Sequence, residues 1–141
     1  MIKKKKVKKQ QFDLQEFLKK ANIPAIPIYI EGNEYIVLID TGSDVSYLDS
    51  SVLNEVPKIL LGHQDEIIGG TSIKDKGSAV YQVEFACGDR EFKEEFTEND
   101  FGHIFGFIEK SHGIKLCGIL GTKFLIEHKC ILDFDKLVFY L

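Results

Sequence analysis

A carboxylate at the end of an apolar strand constrains this chain more than any other feature. Residues 36–39, Ile-Val-Leu-Ile, are typical of a strand buried on both faces, and Asp40 follows them directly. Burying an unpaired Asp costs free energy, so a neighbouring group or a chemical role must compensate. Gly42 permits a tight turn at this point. We therefore expect backbone N–H groups and the Thr41 hydroxyl to hold the Asp40 carboxylate in one orientation.

The alternative is that Asp40 only caps a turn, as Asp often does. With average residue usage, Asp-Thr-Gly followed by Ser or Ala arises by chance in roughly one chain of this length in a few hundred. These four residues alone do not decide between the two interpretations, so the surrounding sequence must.

Short apolar segments separated by turn residues predict a mainly β domain, either a closed barrel or a sandwich. The strands are predicted at 26–31, 35–40, 65–68, 71–74, 78–86, 91–97, 104–108, 115–120, 130–134 and 137–141. A short helix is predicted at 122–128. Near the N-terminus, Asp13 and Glu16 have capping-box spacing and predict a helix of two to three turns. Its apolar face would consist of Leu14, Phe17, Leu18 and Ala21.

Three segments in this order resemble the retropepsin-like aspartic proteases, and the resemblance covers about residues 25–141. The first is Asp-Thr-Gly-Ser at 40–43, after the apolar strand. The second is Ile-Ile-Gly-Gly-Thr at 67–71, where the family carries the flap that covers its substrate. The third is Gly-Ile-Leu-Gly at 118–121, which leads into the family's helix. The resemblance implies a closed β-barrel or sandwich with a flap hairpin and a short helix near the C-terminus.

The resemblance also implies an activity, that of an aspartic endopeptidase acting on peptides or proteins. The catalytic residues carried over are Asp40, Thr41 and Gly42. The substrate-binding residues carried over are Ser43, Asp44, Ile68, Gly69, Gly70, Thr71, Ile119 and Leu120. The alternative is a catalytically silent module that kept this fold for peptide binding or dimerisation, because fold does not by itself imply function.

A single Asp-Thr-Gly motif per chain implies a homodimer. Aspartic proteases use two carboxylates that lie close together, so that one keeps its proton while the other is ionised. Asp133 and Asp135 lie beside a turn without a following Thr-Gly, which indicates ordinary turn carboxylates. We therefore expect the second Asp40 to come from a two-fold partner. The apolar C-terminal run 137–141 is expected to lie at or near that interface.

Two polar interactions at the motif are expected. Retroviral members usually carry an Arg at the position of Thr122, and this Arg pairs with the Asp that corresponds to Asp44. In this chain, Lys123 is a candidate to pair with Asp44 instead. The Ser43 hydroxyl is expected to donate to Asp40, which would lower the first apparent pKa of the pair of aspartates.

Composition excludes several other classes. Cys87, Cys117 and Cys130 are odd in number and widely spaced, so no disulfide framework or zinc motif is predicted, and we expect no metal and no cofactor. The pattern of cysteines favours a reduced, cytoplasmic setting. No apolar run is long enough to span a membrane.

Charge separates a basic tail from an acidic domain. Six lysines lie in residues 1–9, which leaves 12 basic against 22 acidic side chains in residues 10–141, a net charge of -10. We predict a tail at 1–10 and one domain at 11–141. A disordered, solubilising tail is favoured over a contact with nucleic acid, since a lysine run alone specifies no partner.

Overall fold

The computed structural model describes residues 8–64 and 77–141, and these contain ten strands and four helices. The strands are β1 (Gln11–Asp13), β2 (Ala25–Ile30), β3 (Asn33–Ile39), β4 (Tyr47–Asp49), β5 (Ile59–His63), β6 (Ala79–Cys87), β7 (Arg90–Asn99), β8 (Leu116–Leu120), β9 (Ile131–Asp133) and β10 (Val138–Tyr140). The helices are α1 (Gln15–Ala21), α2 (Ser50–Leu53), α3 (Gly102–His112) and α4 (Thr122–Glu127).

Six of the strands form a closed ring in the order β2-β3-β8-β4-β7-β6, and β5 extends the sheet from β6. The pairing of Tyr29 in β2 with Ala86 in β6 closes the ring. Strand β8 enters between two strands that come much earlier in the sequence, parallel to β3 and antiparallel to β4. The prediction of a mainly β domain, either a closed barrel or a sandwich, is confirmed, and the structure is the closed barrel.

The hairpin between β2 and β3 shows how local sequence sets the register. Ile30 pairs with Asn33, which leaves Glu31 and Gly32 as a two-residue loop. Both loop residues have positive φ, 51° and 80°. Such a loop twists in the same sense as the strands it connects. The strands predicted on either side of this turn are confirmed.

Strand β3 packs on both of its faces, as its apolar run predicts. Val37 and Ile39 are buried in the main core inside the barrel. Ile36 and Leu38 face the other way and pack on a smaller cluster that includes Phe105 of α3. Helices α1 and α3 therefore cover the outside of β3 and β8, so the strand that ends at Asp40 lies between two apolar layers.

The chain ends form a separate sheet in the order β1-β10-β9. Phe139 and Leu141 are fully buried within the chain. Strand β10 pairs with β1 on one edge and with β9 on the other. The apolar run is therefore the buried central strand of this sheet, and its expected position at or near a subunit interface stays a prediction.

Two further sequence predictions are corrected. Residues 104–108, predicted as a strand, lie inside helix α3, where Phe105 is buried and Ile108 packs beside it one turn later. Asp13 is not the residue before the helix: it ends β1, and its carboxylate accepts the N–H of Gln15 at 2.8 Å. The strands predicted at 65–68 and 71–74 lie outside the described residues. None of the helices in the described ranges is long and apolar enough to cross a membrane.

Candidate active site

The carboxylate of Asp40 lies at the junction of β3 and the following turn. The backbone N–H of Asp40 donates to the carbonyl of Leu120 in β8 at 3.0 Å, so a hydrogen bond joins the start of the turn to the neighbouring strand. Its Oδ1 accepts the N–H of Gly42 at 2.8 Å. A Cβ on Gly42 would lie 3.1 Å from the same oxygen, which is tighter than an ordinary contact. Glycine here lets the backbone donor approach a half-buried carboxylate.

The hydroxyl of Thr41 does not orient this carboxylate, contrary to the sequence expectation. Within the described part of the chain it makes no hydrogen bond, and Thr41 is exposed. The Thr41 carbonyl instead accepts the hydroxyl of Thr122 at 3.1 Å. The Thr122 side chain therefore supports the turn by bonding to the turn's backbone.

Glycine at 118 and 121 allows β8 and the start of α4 to approach the turn closely. A Cβ on Gly121 would collide with the carbonyl of Val45, and a Cβ on Gly118 would lie 2.5 Å from the carbonyl oxygen of Tyr47. The Gly121 N–H donates to the buried Ser46 hydroxyl at 3.0 Å. The Gly-Ile-Leu-Gly segment is thus explained by backbone approach to residues 43–47.

The side chains of Ser43 and Asp44 bond locally. The Ser43 hydroxyl donates to the Val45 carbonyl at 2.7 Å, so the expected hydrogen bond to Asp40 is wrong. The exposed Asp44 carboxylate accepts the N–H of Val45 at 2.9 Å. Lys123 is not the side-chain partner of Asp44. Its ammonium pairs with Glu95 at 3.5 Å, and only its backbone N–H reaches Asp44, donating to the carbonyl at 3.0 Å.

Ile119 and Leu120 were expected to contact substrate, and both side chains are buried. Leu120 packs in the main core and Ile119 in the smaller cluster against the helices. The structure thus gives them a supporting position behind Asp40, with no surface of Leu120 left for a ligand. Ile68, Gly69, Gly70 and Thr71 lie outside the described residues. On either side of that segment, Gln64 N–H donates to the Ser78 carbonyl at 2.9 Å.

The buried carboxylate of Asp49 escaped the sequence analysis. It is 8% exposed and connects α2 with the start of α3. One oxygen accepts the Phe101 N–H at 2.7 Å, and the other accepts both the N–H and the hydroxyl of Ser51. Burial by itself raises the pKa of Asp49, but these hydrogen bonds outweigh burial and hold the pKa below its usual value. The sequence Asp-Ser-Ser at 49–51 is a helix-start signal, from which a capping role for Asp49 could have been predicted.

Asp133 is a turn carboxylate, as predicted. Its Oδ1 accepts the N–H groups of Asp135 and Lys136, both at 2.9 Å. These two hydrogen bonds stabilise the turn between β9 and β10 and account for the Asp133 carboxylate.

Comparisons with known proteins identify the fold. No protein-family model matches the chain, and no curated protein matches it. Among solved structures, the retroviral protease-like domain of Ddi1 from Leishmania major aligns with a TM-score of 0.50 at 10% identity, over 80% of this chain and 82% of that one. EIAV protease in complex with an inhibitor aligns with a TM-score of 0.48 at 19% identity, over 76% of this chain and 88% of that one. The order of strands and the structural likeness to the Ddi1 domain together give this chain a retropepsin-like fold.

Proposed function

We propose that this protein is an aspartic endopeptidase and that its active unit is a homodimer. The observation that supports the proposal best is the hydrogen bond from the Gly42 N–H to Asp40 Oδ1, 2.8 Å long. It orients a half-buried carboxylate on a turn that is anchored to two strands and a helix. A carboxylate held this rigidly is suited to proton transfer, because the reacting groups need not reorganise.

The proposed chemistry requires two such carboxylates. When two copies of Asp40 lie close together, they cannot both ionise easily, so they share one proton and titrate as a pair. The ionised member removes a proton from water, which attacks the scissile carbonyl carbon. The protonated member donates to the carbonyl oxygen. The tetrahedral intermediate then collapses as the aspartate that took the water's proton passes it to the leaving amine. A hydroxyl of the intermediate returns a proton to the other aspartate, so the pair again holds one proton.

The second carboxylate is proposed to come from a partner subunit. The described part of the chain contains one Asp-Thr-Gly turn, and Asp133 is committed to another turn. The exposed Thr41 hydroxyl lies next to Asp40 without a hydrogen-bond partner in the described residues, and in a two-fold dimer it can meet the equivalent turn. This hydroxyl is a candidate inter-subunit contact.

The first experiment compares the wild type with Asp40→Asn on a peptide library between pH 4 and 7. Asn keeps the shape of Asp but cannot carry the proton, so cleavage should disappear while the melting temperature stays similar. Wild-type cleavage by the purified variant would show that Asp40 is not catalytic. Peptide binding by the wild type without any cleavage would favour the silent module.

The second experiment tests the shared site by mixing subunits. When equal amounts of wild type and Asp40→Asn exchange freely, about a quarter of the dimers carry two aspartates, by random pairing of identical subunits. Activity per total protein should fall to about a quarter, whereas independent monomers retain half. Subunit exchange is verified by native mass spectrometry. A value of one half, together with specific activity that does not depend on protein concentration, would rule out the shared site.

A further inference from the structure

Three side chains with metal-binding atoms converge at the C-terminal end of helix α4. Glu127 is the last residue of the helix, His128 follows it, and Glu94 lies on β7. One donor atom from each of the three lies within 4.8 Å of the other two. His128 Nε2 and Glu94 Oε1 are already in contact at 2.5 Å. The group is formed by two elements that are distant in sequence and is separate from the Asp40 turn.

Two of the three donors are held in place by packing. The side chains of His128 and Glu94 are only 17% and 15% exposed. The imidazole meets the edge of Phe92 at 5.0 Å between centroids and lies 4.5 Å from Phe124. These contacts restrict rotation of the imidazole and keep Nε2 directed towards the carboxylates. A site whose donors are positioned in advance loses less conformational entropy when it binds an ion.

Within the described residues, neither Glu94 nor Glu127 is paired with a lysine or an arginine. Lys93 and Lys123 border the same cavity as Glu94, but their ammonium groups pair with Glu84 at 3.3 Å and Glu95 at 3.5 Å. Glu127 has no ion pair or hydrogen bond to its side chain within the described ranges. The C-terminal end of a helix also carries partial negative charge. Two carboxylates therefore lie close together, and only one of them, Glu94, has a partner, the imidazole of His128.

Space for an ion and its water ligands adjoins the group. A cavity of about 210 Å³ is lined by Glu94 and Glu127 together with Ser46 and residues of β6, β7 and α4. His128 contacts Glu94 but does not itself line this cavity. Two carboxylate oxygens and one imidazole nitrogen form a donor set that Zn²⁺ accepts, with the remaining position left to water. A shift of the Glu94 carboxylate away from Nε2 would let both groups bind one ion.

We propose that Glu94, Glu127 and His128 form a binding site for a divalent transition-metal ion of the Zn²⁺ type. This differs from the expectation of no metal that the sequence supports, because the three residues do not form a recognisable motif along the chain. Bound metal would connect the end of α4 to β7. Since α4 begins at Thr122, which donates to the turn beside Asp40, the ion would restrain the helix that supports that turn.

The test is calorimetric titration of the full-length, metal-free protein with Zn²⁺ at pH 7.5, since imidazole and carboxylate ligands bind metal in their deprotonated forms. One ion per chain should bind, and the melting temperature should rise with Zn²⁺ concentration. Glu127→Gln should weaken binding by at least about tenfold, the smallest loss typical even of residues that only orient metal ligands. Glu109→Gln, an exposed change on α3, is the matched control and should bind as the wild type does.

Glu127→Gln is the primary variant because Glu127 is exposed, so its loss leaves the core intact. His128→Gln is the second, with folding checked by circular dichroism. Titration with Co²⁺ should give the visible absorption of a nitrogen- and oxygen-ligated ion. Undiminished Zn²⁺ binding by Glu127→Gln would overturn the proposal. So would the absence of binding by the wild type, or a sulfur-to-cobalt charge-transfer band that identifies a cysteine as the ligand.

Discussion

The hydroxyl of Thr122, at the start of α4, donates a hydrogen bond to the backbone carbonyl of Thr41 at 3.1 Å. The Thr122 N–H donates to the Ser43 carbonyl at 2.7 Å. One residue therefore supports the turn on both sides of Gly42. The orientation of the Asp40 carboxylate depends on this turn, so the helix and the proposed catalytic group are mechanically connected.

Replacing Thr122 tests this connection. Thr122→Val keeps the side-chain shape and removes the hydroxyl, so the turn loses a hydrogen bond that contributes about 1 kcal/mol. If this whole loss falls on the transition state, the rate of peptide cleavage should fall about fivefold, with only a small drop in melting temperature. Thr122→Ser retains the hydroxyl and should recover most of the rate. Equal rates in the Val and Ser variants would show that the hydroxyl does not support the turn.

A second prediction concerns the close approach at Gly121. Gly121→Ala places a methyl group against the carbonyl of Val45, so the free energy of unfolding should fall by about 1–3 kcal/mol or more. The matched control is Gly106→Ala in helix α3, where a Cβ meets nothing within 4 Å. That change should stabilise the protein by about 0.5–1 kcal/mol, because alanine loses less entropy in a helix. Urea unfolding measures the free energy of unfolding of both variants. Similar changes in Gly121→Ala and Gly106→Ala would contradict the close packing at Gly121.

Asp49 provides the third prediction. Asp49→Ala removes a helix cap, worth about 1 kcal/mol, and leaves the Phe101 N–H without its partner, which costs about 1–3 kcal/mol. The free energy of unfolding at pH 7 should therefore fall by about 2–4 kcal/mol. Denaturant titration provides the measurement. A loss below 0.5 kcal/mol would mean that these hydrogen bonds contribute little.

The same carboxylate predicts a dependence on pH. Hydrogen bonding keeps the pKa of Asp49 in the folded protein below its ordinary value of 3.8. The folded state therefore favours the ionised form, so the stabilisation is present above that ordinary value and is lost as pH falls through the lowered pKa. The difference in unfolding free energy between wild type and Asp49→Asn should narrow on acidification from pH 5 to pH 3. A difference that stays constant over this range would contradict the lowered pKa.

Ser43→Ala gives the fourth prediction, which reverses the sequence expectation. The Ser43 hydroxyl donates to the Val45 carbonyl and not to Asp40. Its loss should leave the acid limb of the pH–rate profile where it is and lower the free energy of unfolding by about 1 kcal/mol. An upward shift of the acid limb would show that the hydroxyl acts on the pair of aspartates after all.

The fifth prediction is that the thiols are unreactive in the folded protein. Burial raises the pKa of Cys87 to about 12 and that of Cys130 to about 11, from an ordinary 9.0. The thiolate is the reactive form, so alkylation by iodoacetamide at pH 8.5 should be slow until urea unfolds the chain. Because the pKa values of these thiols are higher in the folded protein, their protonated form stabilises the folded state below about pH 9. This contribution is lost as the pH rises through the pKa values of the folded protein. Equal alkylation rates in folded and unfolded protein would contradict the burial of these thiols.

Much of the barrel follows from local sequence, because a strand pattern and a turn are set by residues that are close together. The β2–β3 hairpin needs positive φ at Glu31 and Gly32, and its register then follows from the turn. The helix after Gly121 and the turn carboxylate of Asp133 were predictable for the same reason. The Asp-Thr-Gly-Ser sequence predicted a turn in which backbone N–H groups hold Asp40, and the Gly42 N–H is such a donor.

Helix α3 shows where local patterns fail. Residues 104–108 are mostly apolar, and a short apolar run has no period that separates a strand from a helix. The decision depends on the surface it packs on: Phe105 is buried against the outer face of β8, which accommodates a helix. The terminal sheet shows the same limit. The apolar sequence of β10 predicts that the strand is buried, but it does not predict that β1 and β9 are its neighbours.

The sequence by itself determined which residues form the turn at Asp40 and that the chain is mainly β. Only the tertiary structure decided that Thr122 holds that turn, that Ser43 bonds away from the carboxylate, and that Glu94 meets His128. These contacts join residues far apart in the chain. They depend on the insertion of β8 between β3 and β4 and on the packing of α4 against β7, and no local preference specifies which distant side chains such packing brings together.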